Sequence, residues 1–197
     1  MVSSRKLPSL TFLVILLSSG IASAHSEAGS AGGFVSGFTH PLSGLDHMAA
    51  MIGVGLWGAF LGSRAMWLLP VIFPIVMAVG GALGVANVPL PGVETGIALS
   101  AVGLGTMVAA AARPPLWVAA VLVGVFAIFH GHAHGTELPE SSNALSFAIG
   151  MVIATGLLHL CGIALGLLVK FSWGKMVVRG AGAAIAGLGF CFLFGVL

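Results

Sequence analysis

The sequence predicts an all-α integral membrane protein, a compact six-helix transmembrane bundle that follows a cleaved signal peptide. Three observations carry this reading. The chain is 58% hydrophobic and 6% charged. Its apolar residues gather in runs of about 20, the length that crosses a bilayer. It also holds thirty glycines in 197 residues, and small residues let helices approach closely in lipid, which gives no hydrophobic drive for association. A soluble domain covers its surface with about 25% charged residues; this chain has seven Lys and Arg and five Asp and Glu. A cytosolic globular enzyme is thereby excluded, and so few scattered basic residues form no patch for nucleic acid. Disorder is excluded too, because it needs few apolar residues and high net charge, whereas the formal charge is +2 and the mean hydropathy +1.15.

Residues 1–24 read as a secretory signal peptide: Arg5 and Lys6 precede the apolar run 10–17, and Ala22, Ser23 and Ala24 form a small-x-small cleavage site. Cleavage there would make His25 the amino terminus of a single transmembrane domain, 25–197. Spans are expected at 44–61, 65–86, 93–111, 115–129, 144–170 and 176–197. The breaks between them carry turn residues: Gly62 to Arg64, Asn87 to Gly92 with two prolines, Arg113 to Pro115, a histidine-rich stretch, and Ser172 to Lys175. No room remains for a soluble catalytic domain, and no GxxxxGK[ST] motif is present. Arg64 lies in the first connection, Arg113 in the third, and Lys170, Lys175 and Arg179 flank the fifth; the second and fourth have none. The positive-inside rule therefore predicts an inner-membrane protein with both mature termini and the histidine-rich connection outside. Gly58 and Gly62, Gly80 and Gly84, Gly131 and Gly135, and Gly162 and Gly166 are each four apart, which predicts packing faces. Cys161 and Cys191 lie in apolar runs without CxxC spacing and read as packing residues.

In so apolar a chain, polar side chains near membrane depth are costly and mark function. The first cluster is His40-Pro-Leu-Ser-Gly-Leu-Asp46-His47. His40 and His47 would share a helix face, but Pro41 and Gly44 could break the helix and converge His40, Asp46 and His47 instead. The second cluster is Phe129-His130-Gly-His132-Ala-His134-Gly-Thr-Glu137. His130, His134 and Glu137 are spaced i, i+4, i+7, a single helical stripe, and His132 points away from it. Imidazoles with one or two carboxylates suit a borderline divalent ion such as Ni²⁺, Co²⁺, Zn²⁺ or Cu²⁺. Ca²⁺ and Mg²⁺ prefer all-oxygen shells. The competing reading is that these groups merely pair with one another; five histidines and two carboxylates in two short clusters weigh against it. Glu94, near the start of the third span, either favours the helix dipole or lies on the ion's route. His159, alone in the fifth span, reads as a core histidine, and Glu140 as a solvated loop residue. A freed His25 would offer its α-amine and its imidazole together, a chelating pair close to the first cluster.

The two motifs together resemble the HupE/UreJ family, small membrane proteins associated with hydrogenase and urease maturation and regarded as nickel permeases. The resemblance covers the whole mature chain. It implies functional positions at His40, Asp46 and His47, at His130, His134 and Glu137, and at Glu94; His132 fills a variable position between the motif residues. The expected function is thus a secondary transporter, not an enzyme, that admits Ni²⁺ or Co²⁺ to the cytoplasm for nickel-enzyme maturation. The ion is cargo rather than a prosthetic group, and the partners implied are the metal ion, the bilayer and hydrogenase or urease maturation proteins. Two other classes stay open. Asp46, His47, His130 and His134 could hold Zn²⁺ in an intramembrane hydrolase, assisted by Ser43 or Glu137, or the chain could be a metal sensor or chaperone that binds without transporting.

Overall fold

A computed structural model of the chain describes residues 30–138 and 142–196. The expected signal peptide, His25 and Glu140 lie outside the described residues. Those described form seven α-helices and a short 3₁₀ turn, with no strand among them: α1 (Ser30–Ser43), α2 (Leu45–Leu61), α3 (Ser63–Val85), α4 (Val93–Ala109), α5 (Leu116–Thr136), α6 (Ala144–Gly166) extended by the 3₁₀ turn Leu167–Lys170, and α7 (Gly174–Leu193). Four stretches are long and apolar enough to cross a membrane: α3, α5, α6 with its 3₁₀ extension, and α7. α1 and α2 pass the same test together but are bent by 83° at Gly44. α4 is apolar and has 17 residues, a rise of about 25 Å against a hydrocarbon core of about 30 Å.

Two of these elements differ from the sequence expectation. Helix α1 precedes the expected first span, in a stretch whose glycines disfavour an isolated helix. It forms because it packs against α6: Cβ atoms at Gly37 and Gly150 would run into the backbone of Phe147 and Phe34 respectively. Helix α5, expected to end at residue 129, continues through all three histidines to Thr136. Gly131 and Gly135 are poor helix formers, but their bare Cα atoms lie against the carbonyls of Met77 and Gly81 on α3, and close packing outweighs propensity. Gly80 and Gly84 of α3 return the contact on the carbonyls of Ile128 and His132. Two glycine pairs thus mesh across one interface. Gly162 and Gly166 serve the α2–α6 contact in the same way, at Ile52 and Leu56. Gly62 does not pack: its φ of 116° makes it the turn between α2 and α3.

α3 packs along α5 and α4 along α7, while α6 receives α1 and α2. The shared core holds Trp57, Met51 and Leu56 of α2 and Leu69 and Phe73 of α3, all fully buried. The outer face of α3 exposes Trp67, Val71, Ile75 and Val79, four residues apart and so aligned. A continuous apolar stripe on the outside is the surface lipid wets. Cys161 and Cys191 are both free thiols. The connections sort the charges by end. Arg64 and Arg113 line one cleft with Ser63 and Leu116; Arg113 lies 4.9 Å over the Phe60 ring, and Arg179 donates to the Ala109 carbonyl at 2.7 Å. The α1–α2 bend and the C-terminus of α5 form the other end.

Candidate metal centre

The bend at Gly44 builds half of the site. Gly44 is extended (φ −100°, ψ 117°), and a Cβ there would stand 2.8 Å from Asp46 Oδ1 and 3.3 Å from His47 Nδ1. A larger residue would displace both side chains. Of the two arrangements open from the sequence, the broken one occurs: His40 lies in the last turn of α1, while Asp46 and His47 open α2. Asp46 lies in the first turn of α2, where the helix dipole favours a carboxylate. Its Oδ1 accepts from the His47 backbone N–H at 2.8 Å and lies 3.0 Å from His47 Nδ1. The carboxylate therefore holds His47 as its Nδ1–H tautomer and leaves Nε2 a bare lone pair. That atom is buried without a hydrogen-bond partner.

The last two turns of α5 supply the other half. The His47 ring lies 4.9 Å from that of His130 and 4.6 Å from that of His134, and His40 lies 4.9 Å from His134. Glu137 caps α5, and its Oε2 is 2.9 Å from His40 Nε2. One ligand atom each from His40, His134 and Glu137 lies within 4.8 Å of the others, close enough to share an ion. His134 is buried with both ring nitrogens unpartnered. Such groups are rare in a folded core unless a ligand or ion completes them.

A residue the sequence reading missed fixes His130. Ser100 of α4 is wholly buried and donates its one hydroxyl hydrogen to the Ile97 carbonyl at 2.6 Å. Its oxygen can then only accept from His130 Nε2, 2.9 Å away. His130 is thus the Nε2–H tautomer, with a bare and unpartnered Nδ1. A serine midway along an apolar helix was the signal that could have found it. Phe73 was missed as well; its ring packs 5.5 Å from that of His130, and nothing in an apolar run distinguishes it from other core residues.

Two of the expected residues lie elsewhere. His132 turns away from the cluster and donates from Nε2 to the Val88 carbonyl, 2.7 Å away, in the α3–α4 connection. Glu94 is exposed in the first turn of α4 and outside the His40–His134–Glu137 group.

Fold and site together define an all-helical, multi-pass membrane protein with a histidine–carboxylate centre at one end of its bundle. The family model for HupE / UreJ protein matches residues 13–192. Over 173 residues the chain is 47% identical to Protein HupE of Rhizobium leguminosarum bv. viciae, covering 87% of this chain and 91% of that protein. The chain belongs to the HupE/UreJ family. No solved structure matches it.

Proposed function

We propose that the protein is a permease that admits a divalent transition-metal ion, Ni²⁺ or Co²⁺, from outside to the cytoplasm, where hydrogenase or urease maturation consumes it. The observation that carries this is the clustering of His40, His47, His130, His134 and Glu137, from three helices, at the end opposite the arginines, with ring nitrogens of His47, His130 and His134 buried and unpartnered. Nickel in particular rests on membership of the HupE/UreJ family. In this reading α1 and α2 make one broken crossing and α4 a short one. With α3, α5, α6 and α7 that gives six, the arginine end is cytoplasmic, and both ends of the domain lie outside. His40, His134 and Glu137 take the ion first. His47 and His130 receive it next, each held in the required tautomer by Asp46 or Ser100. A site assembled from separate helices exchanges ligands one at a time, which suits conduction better than tight storage. His25, if freed by cleavage, adds an amine and an imidazole ahead of this site. Glu94 and His132 lie outside the group of His40, His134 and Glu137 and take no part in the first capture of the ion.

Uptake of radiolabelled nickel into proteoliposomes that hold only this protein tests the reading. Accumulation inside the vesicles is expected. Binding without accumulation would mark a sensor or chaperone, and hydrolysis without accumulation an enzyme.

A further inference from the structure

Beyond the outer cluster, one more histidine has the same unmet chemistry. His159 of α6 is 1% exposed, and neither ring nitrogen has a hydrogen-bond partner. A core histidine that served packing alone would have its N–H satisfied. Opposite it stands an unusual acceptor. Pro70 and Pro74 both lie inside α3, and Pro74 has no N–H to give the carbonyl four residues earlier. The Pro70 carbonyl is therefore free of the helix ladder, and it partners the His159 ring weakly, short of a well-formed hydrogen bond. One turn before His159, on the same face of α6, Thr155 donates to the Met51 thioether at 3.5 Å, and both are wholly buried. The Phe73 ring links the two levels: it lies 5.5 Å from His130 and 5.3 Å from His159. Depth follows from helix geometry. Phe147 of α6 touches His40, and His159 is twelve residues further along, about 18 Å towards the arginine end.

We propose that the His159 imidazole and the freed Pro70 carbonyl form an inner coordination step for the transported divalent cation, below the outer cluster. The proposal rests on the permease reading. It gives the ion a nitrogen and an oxygen ligand at a depth where no carboxylate among the described residues is available: Asp46, Glu94 and Glu137 all belong to the outer end. A neutral two-ligand step holds a borderline ion weakly, which permits onward release.

The test compares wild type with His159→Leu and His159→Cys in the same nickel proteoliposome assay. Nickel binding to the detergent-solubilised protein is measured in parallel. If wild-type vesicles accumulate no nickel, the permease reading falls and this proposal with it. If they do, His159→Leu is expected to slow uptake by about tenfold or more, because the ion then crosses the core without its ligand. Outer-site affinity should stay within about twofold, since Phe73 links His159 to His130 and not to the first ligands His40, His134 and Glu137. His159→Cys is expected to restore part of the rate and to make nickel uptake more sensitive to competing Cd²⁺, as a thiolate prefers the softer ion. A packing residue would not move that selectivity. Wild-type uptake by His159→Leu overturns this proposal and leaves the permease reading intact. Should the His159 variants fail to fold, Pro74→Ala decides: it returns an N–H to the Pro70 carbonyl and favours the helix. Slower uptake with normal outer-site binding supports the proposal; an unchanged rate overturns it.

Discussion

At the scale of single residues, the centre is a set of imidazoles whose tautomers are chosen by neighbours. Asp46 turns the His47 lone pair to Nε2, and Ser100 turns that of His130 to Nδ1. Losing a group that orients a metal-binding histidine costs about 10- to 100-fold in affinity. Asp46→Asn is therefore expected to abolish uptake at sub-saturating nickel while the protein still reaches the membrane, and His47→Ala to do the same by deleting the ligand. Normal uptake by either, at normal expression, would remove them from the ion's path. Ser100→Ala leaves the buried His130 N–H without an acceptor, a penalty of about 1–3 kcal/mol. It should lower both the unfolding temperature and nickel affinity, read by thermal melts and by titration. His134→Ala and Glu137→Gln should impair uptake far more than His132→Ala, because His132 is turned to Val88. Greater sensitivity at His132 would show that the His40–His134–Glu137 group is not the working site.

At the scale of helices, glycine positions determine where the site forms. Adding a methyl to Gly131 would drive it into the Met77 carbonyl and push α3 from α5, so Gly131→Ala is expected to destabilise by about 1–3 kcal/mol. Gly156 of α6 has open space around its would-be Cβ, and Gly156→Ala should be neutral or stabilising by up to about 1 kcal/mol. Thermal unfolding in detergent separates the two, and equal melts would refute the meshed α3–α5 interface. This packing also explains how much of the molecule was legible in advance. Apolar runs and turn residues located α3, α4, α6 and α7 to within a few residues, because lipid demands long uninterrupted helices. Helix α1 was not legible, and the apolar run ended α5 two turns early although the histidine spacing there read as helical, since glycine-rich segments become helical only through partners distant in sequence. The same limit applied to the centre. Spacing put His130 and His134 one turn apart on α5, with Glu137 as its cap, and Pro41 with Gly44 left a bend open. The contact of Ser100 with His130 depends on α4 lying beside α5, which no local pattern encodes.

At the scale of the whole molecule, ionisable groups are segregated along the bundle axis. The carboxylates among the described residues, Asp46, Glu94 and Glu137, stand at the histidine end, whereas Arg64, Arg113 and Arg179 stand at the other. Between them the described core offers His159 as its titratable group and no acid that could carry protons back against the ion. This arrangement favours electrogenic uniport over exchange for two protons. A divalent cation moving inward gains about 4.6 kcal/mol per 100 mV of inside-negative potential, more than three powers of ten in equilibrium concentration ratio. Proteoliposomes clamped with a potassium gradient and valinomycin are therefore expected to take up nickel faster, and to a higher plateau, as the interior becomes more negative. A pH gradient imposed at zero potential should leave the plateau unchanged. Exchange for two protons is electroneutral and would reverse both results: potential would have no effect, and an acidic interior would drive accumulation. That outcome would require a proton route through the inner half of the bundle and would reject the uniport mechanism.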